Sequence, residues 1–188
     1  MNHGDFVMAI KLKYHKLHPE AQAPVYSTTD AACFDIFLCT SGKMAFKGYD
    51  ESGKEFTRLL TTNGGILLCP KDRVLAPTGL IFDFAKDYSL RIHPRSGLSL
   101  KQGLTLANAE GVIDSDYMEE TFVMLTNLST RNVEIPNLSR ICQGELIRNN
   151  RVSFEEMKEA PTRDSTNRKG GFGSTGTKTL DNSSANTI

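Results

Sequence analysis

An all-β sandwich or barrel is predicted by three features of this 188-residue sequence. Short apolar segments recur along it, turn residues (Gly, Pro, Asn) separate them, and only residues 154–159 carry a helical pattern. Strands at this spacing, joined by such turns, mark sandwiches and barrels.

The elements follow in order. Residues 7–14 (VMAIKLKY) alternate apolar and polar, as a half-buried strand does. Residues 33–39 (CFDIFLC) are mostly apolar and include one acid, Asp35. Residues 66–69 stop before Pro70 and 74–76 before Pro77; proline cannot donate to a ladder, so each marks a strand end. Residues 80–84 follow Gly79, and 88–93 end at Pro94. Further strands are expected at 104–107, 121–125, 133–135 and 145–147, with a strand-like run already starting at Arg140.

Two regions stand apart. Residues 40–65 read as a hairpin, with 44–46 and 56–60 flanking the turn Asp50-Glu51-Ser52-Gly53. Residues 161–188 are polar, and their only large apolar residues are Phe172, Leu180 and Ile188. Such a segment buries too little apolar surface to offset its ordering entropy, so it is expected to be disordered alone. The expected organisation is a β domain over 1–160, with 40–65 as an insertion, and a flexible arm over 161–188.

Charge narrows the partners. The 22 basic and 22 acidic residues cancel, which argues against general binding of nucleic acid or membrane, since both favour a basic excess. No apolar run reaches bilayer-spanning length, and no signal peptide is apparent, so a cytoplasmic location is expected (host cytoplasm if the source is viral). Cysteines 33, 39, 69 and 142 form no CxxC pair, and histidines 3, 15, 18 and 93 show no ligand spacing. Buried free thiols are therefore expected.

Four segments and one acid carry candidate chemistry. Residues 111–117 (GVIDSDY) place two carboxylates and a phenol between strands and read as a polar turn. If extended, Asp114 and Asp116 share one face and Ser115 and Tyr117 the other. Pro94-Arg95-Ser96-Gly97 closes a strand, and such a turn can grip a phosphate through backbone N–H groups. Residues 170–176 (GGFGSTG) set one aromatic ring among glycines and hydroxyls, beside Arg168 and Lys169, which suits a lid over a nucleotide. They are no P-loop, because Gly-Lys-Ser/Thr is missing. Gln143, in the run from Arg140, can order a water or a phosphate oxygen. Asp35 lies on an apolar strand, so it is expected to pair with a cation, a metal ion among the candidates.

Taken together, five segments in this order resemble the five motifs of the trimeric dUTP pyrophosphatase (dUTPase) family, from about residue 11 to 176. They are 31–36, 94–99, 108–117, 140–143 and 168–176. The resemblance implies a homotrimer of distorted jelly-roll subunits that hydrolyse dUTP to dUMP and pyrophosphate with Mg²⁺ and so keep uracil out of DNA. Active sites are shared between chains and closed by the C-terminal arm. It implies roles too. Asp114 activates the attacking water, and Tyr117 packs under the deoxyribose. Asn108 and the backbone of Val112 and Ile113 read uracil. Arg95, Ser96, Gly97 and Gln143 hold phosphates and order the water. Asp35 reaches Mg²⁺ through its water shell, and Phe172 stacks on the base. Arg168, Gly173, Ser174 and Thr175 bind the terminal phosphates.

The chain departs from the family pattern at Cys33 and Glu119, each where Gly is usual, and at Cys142, where Ala is usual. Arg168 stands one residue nearer the Phe than the family's Arg. Two rival readings are a dCTP deaminase on the same fold and a nucleotide-sensing regulatory trimer acting through 40–65. The first needs a Glu-centred site, whereas this chain has the Ile-Asp-Ser-Asp-Tyr pattern of the pyrophosphatases.

Overall fold

Short β-branched and aromatic runs between turn residues give thirteen strands and one short helix among residues 10–161, the part described by this computed structural model. In chain order they are β1 (Lys13–Lys16), β2 (Phe34–Phe37), β3 (Ala45–Tyr49), β4 (Glu55–Leu59), β5 (Ile66–Leu68), β6 (Arg73–Pro77) and β7 (Leu80–Asp83). Then come β8 (Tyr88–His93), α1 (Ser96–Gln102), β9 (Leu104–Leu106), β10 (Gly111–Ile113), β11 (Phe122–Asn127), β12 (Val133–Ile135) and β13 (Arg140–Arg148). The order is β10-β8-β13-β2 in a four-stranded sheet and β4-β3-β6-β11-β9 in a five-stranded one, with small pairs β1-β7 and β12-β5. The architecture is a distorted jelly roll. No helix among the described residues is long and apolar enough to cross a membrane.

The core gathers the inward side chains of these sheets, among them Ile36, Leu38, Leu80, Leu90, Leu125 and Ile141, all at most 1% exposed. Opposed residues in a ladder share a face, and the four-stranded sheet uses this to separate two functions. Phe34, Gly144 and Ile92 form one row across β2, β13 and β8, directed to the core. Asp35, Gln143 and His93 form the next row, on the opposite face. Gly144 is required here: a Cβ would lie 2.8 Å from the Phe34 ring. A bulge between Arg140 and Cys142 lets the consecutive residues Ile141 and Cys142 both be buried.

The 40–65 hairpin forms as expected and pairs through β3 with β6. Its turn is closed by Asp50, whose Oδ1 accepts from the backbone N–H groups of Ser52 and Lys54. Gly48 lies where β3 meets β6, and a Cβ there would sit 2.5 Å from the Arg73 carbonyl oxygen. Arg58 forms an ion pair with the buried Asp72 and stacks 3.8 Å over the Phe56 ring.

The chain divides at Asn150/Arg151 into two units. Of the second, residues 151–161 are described, and they hold no regular element. The helix expected at 154–159 is therefore absent. Phe154 is 95% exposed, and among the described residues no apolar partner stabilises a lone helical turn. The strand expected at 7–14 is met only at Lys13 and Tyr14, in a β1 that is exposed throughout rather than half-buried; the other expected strands stand, with ends shifted by a few residues. Residues 7–9 lie outside the described part. Residues 94–99 are more than a turn, since Ser96 opens the seven-residue helix α1, ended by Gly103 at φ 71°.

Candidate active site

The stretch 108–117 forms one wall of a cleft of about 330 Å³. It begins with a tight turn in which the Glu110 N–H donates to the Asn108 carbonyl at 2.6 Å and Ala109 takes a left-handed φ of 60°. That conformation costs a non-glycine residue about 1–2 kcal/mol, and it turns the chain from β9 into β10. β10 then pairs with β8 in the register Gly111↔Ile92 and Ile113↔Leu90. It is the sheet's edge, so one rim of its N–H and C=O groups has no ladder partner among the described residues.

After Ile113 the chain turns rather than continuing extended, and the Tyr117 N–H donates to the Asp114 carbonyl at 3.1 Å. The extended alternation therefore fails. Asp114 and Tyr117 line the same cleft, with Asn108, Gly111, Val112 and Ile113. The floor comes from the five-stranded sheet through Leu75, Leu106, Phe122, Val123 and Met124. Tyr117 is fixed by its hydroxyl, which donates to the Glu120 carbonyl at 3.0 Å. Glu119 faces solvent. Asp116 makes no side-chain hydrogen bond among the described residues, so it is not the group that holds this turn.

A second cluster lies on the polar face of the four-stranded sheet. Asp35 is 6% exposed, with partners at both oxygens. The Ser27 hydroxyl donates to its Oδ2 at 2.6 Å, Arg95 Nε lies 3.1 Å from Oδ1, and Arg140 Nε lies 3.3 Å from Oδ2. The expected cation partners are thus two guanidiniums. Two positive charges against one negative leave the cluster electropositive. Arg95 Nη1 also donates to the Arg140 carbonyl at 3.1 Å, and Gln143 Nε2 to the Pro94 carbonyl at 3.1 Å. Ser96 and Gly97 stand exposed at the start of α1, and a Cβ on Gly97 would meet nothing within 4 Å. Ser27 and the Arg140 side chain received no role from the sequence. The buried carboxylate signalled that a partner was needed, but not which residues supply it.

The structure thus gathers Asn108, Val112, Ile113, Asp114 and Tyr117 in one place and Asp35, Arg95 and Gln143 in another. None of the second group lines the cleft. Arg168, Phe172, Gly173, Ser174 and Thr175 lie outside the described residues. Cys39 and Cys142 are buried free thiols as expected, but Cys33 and Cys69 are only half-buried. Burial and the neighbouring Glu145 push the Cys33 thiol up; burial pushes Cys142 up further.

Comparison with known proteins gives one family. The dUTPase family model matches residues 60–176. The chain is 36% identical over 168 residues to the deoxyuridine 5'-triphosphate nucleotidohydrolase of Wolinella succinogenes, covering 89% of this chain and 95% of that one. It is 34% identical to the enzyme of the same name from a Hydrogenobaculum species, covering 90% and 100%. In fold it is similar to the dUTPase of Staphylococcus bacteriophage 80alpha with dUPNHPP, at a TM-score of 0.67 and 17% identity over 89% of this chain and 99% of that one. The Streptococcus mutans dUTPase superposes with a TM-score of 0.57 at 21% identity, covering 76% and 98%.

Proposed function

Because this chain belongs to the dUTPase family, we infer that it hydrolyses dUTP to dUMP and pyrophosphate. The observation that carries the reading is the cleft itself. It sets a carboxylate, a phenol, an amide and an unpaired strand edge around a space of about 330 Å³ with an apolar floor. A pyrimidine fits this arrangement: the free rim of β10 and the Asn108 amide offer donors and acceptors to its edge. Main-chain groups of fixed polarity reject cytosine, whose donor and acceptor positions are reversed. Tyr117, held by the Glu120 carbonyl, packs under the deoxyribose and leaves no room for a 2′-hydroxyl.

Asp114 is the base. Its carboxylate takes a proton from a water as the water oxygen bonds to the α-phosphorus. The bond from that phosphorus to the bridging oxygen breaks, and pyrophosphate departs. Arg95, Arg140, Ser96, Gly97 and Gln143 supply donors for the phosphates. The arginines are pre-aligned on Asp35, so little side-chain freedom is lost on binding. Phe172, Arg168, Gly173, Ser174 and Thr175 of the arm close the site over base and terminal phosphates.

Mg²⁺ is the cofactor we assign, arriving with the polyphosphate. The Ser27 hydroxyl donates to Asp35 and the Arg95 and Arg140 guanidiniums pair with its charge, which leaves acceptor capacity for a contact through a metal-bound water rather than direct ligation. The bound ion supplies neutralisation of the phosphate charge.

Cleft and phosphate cluster lie apart in one chain, which supports a homotrimer in which the cleft of one subunit meets the Asp35 cluster of the next. A cyclic, heterologous interface makes three equivalent sites this way. The test is a panel of dUTP, dCTP, dTTP and UTP with Mg²⁺, scoring pyrophosphate and ammonia separately. Pyrophosphate from dUTP alone is expected. Ammonia from dCTP, or no product from any nucleotide, would overturn the assignment.

A further inference from the structure

We propose that Cys33, His93 and Glu145 form a binding site for a divalent transition metal of the Zn²⁺ type, separate from the cation carried by the polyphosphate. Cys33 leads into β2, His93 ends β8, and Glu145 lies in β13, the strand between them. Three segments distant in sequence thus bring a thiol, an imidazole and a carboxylate together, with their ligand atoms all within 4.8 Å of one another. Glu145 Oε1 and His93 Nε2 are already 2.9 Å apart.

The geometry is close to what a metal needs. Bonds of about 2.0–2.3 Å in a tetrahedron place ligand atoms roughly 3.3–3.8 Å apart. Small side-chain rotations close the remaining distance. The second observation lies on the far side of the imidazole. His93 Nδ1 faces Glu110 Oε1 at 3.7 Å, and Arg91 Nη1 holds Glu110 Oε2 at 2.9 Å. A carboxylate on the outer nitrogen, itself fixed by a further partner, orients a ligating histidine.

The donor set selects the metal. Sulfur, nitrogen and oxygen together suit Zn²⁺ or Co²⁺, whereas Mg²⁺ and Ca²⁺ take oxygen alone. Binding releases the Cys33 thiol proton to solvent, and the thiolate sulfur becomes the ligand. Three protein ligands leave a fourth position for water. Each ligand stands two residues from a member of the Asp35 cluster: Cys33 from Asp35, His93 from Arg95, Glu145 from Gln143. The metal would therefore clip together the strands that position the phosphate-binding side chains.

The experiment titrates the metal-stripped full-length protein with Co²⁺ alone and follows its absorption. One Co²⁺ per chain is expected, with a near-ultraviolet sulfur-to-cobalt band and visible bands of tetrahedral intensity. Zn²⁺ should bleach them and excess Mg²⁺ should not. Cys33→Ser should abolish the sulfur band while Cys39, Cys69 and Cys142 remain. Glu110→Gln should weaken binding roughly 10- to 100-fold, the range for a lost orienting partner. Protection of Cys33 from alkylation by Zn²⁺, mapped on peptides of the unaltered protein, decides the matter even if a variant fails to fold. Absence of the sulfur band, its survival in Cys33→Ser, or unprotected Cys33 at saturating Zn²⁺ would each overturn the site.

Discussion

Arg95 meets Asp35 through Nε, at 3.1 Å, while its Nη1 donates to the Arg140 carbonyl, so carboxylate and backbone together hold the guanidinium. Asp35 is in this sense the holder of two arginines. Removing its charge should release both. Misplacing a substrate-positioning group by about 1 Å can cost about 100-fold, so Asp35→Asn is expected to lower kcat/KM for dUTP roughly 10- to 100-fold. Steady-state kinetics check this, and an unchanged kcat/KM would mean that the arginines need no anchor.

Asp114→Asn keeps the shape of the turn and removes the base. General-base catalysis contributes about 10²- to 10⁴-fold, so kcat should fall by that order. Binding of a non-hydrolysable dUTP analogue, measured by calorimetry, should stay within a few-fold. Near-normal turnover in this variant would reassign the base.

Sharing of sites between chains has its own signature. Asp114→Asn and Arg95→Ala chains should each be inactive alone. Refolded together, they should recover activity, because roughly a quarter of all interfaces in a random equal mixture join an intact cleft to an intact cluster. No recovery from verified mixed trimers would place a complete site within one chain.

Cys142 gives a pH dependence. Burial raises its folded-state value above the ordinary 9.0. The unfolded thiol ionises first, so the unfolded state holds fewer protons than the folded one above pH 9. The stabilisation is fully present below that pH and is lost above it, at about 1.4 kcal/mol per unit for one group. Denaturant titrations between pH 8 and 10.5 should show a steeper decline in the unaltered protein than in Cys142→Ala.

Gly48→Ala tests the attachment of the hairpin. The new methyl would meet the Arg73 carbonyl at 2.5 Å and the Phe56 ring at 2.6 Å. Overpacking costs about 1–3 kcal/mol, and backbone on one side leaves little room to yield. A lower thermal midpoint is expected with the fold intact by circular dichroism.

Much of this was legible in the sequence. Proline and glycine punctuation placed β5 to β8 because backbone chemistry is local, and Asp50-Glu51-Ser52-Gly53 marked the hairpin turn for the same reason. The isolated acid in 33–39 announced its need for a cation, since an unpaired buried charge is costly. Its partners were hidden, because Arg95 and Arg140 reach Asp35 only through pairing of distant strands. Besides the extended alternation at 114–117, two further local readings failed for identifiable reasons. The 154–159 pattern has helical spacing but nothing to pack against among the described residues, and 94–99 carries turn residues yet continues into α1. The grouping of Cys33, His93 and Glu145 had no spacing signal at all, since the ladder register alone creates it.

The free rim of β10 carries a further meaning. An exposed strand edge invites another strand to add to it, and this is a common route to aggregation. A pyrimidine reading that rim would satisfy the same groups as an intruding strand. The nucleotide would then act as a shield as well as a substrate, and the empty enzyme would be the form most exposed to unwanted self-association.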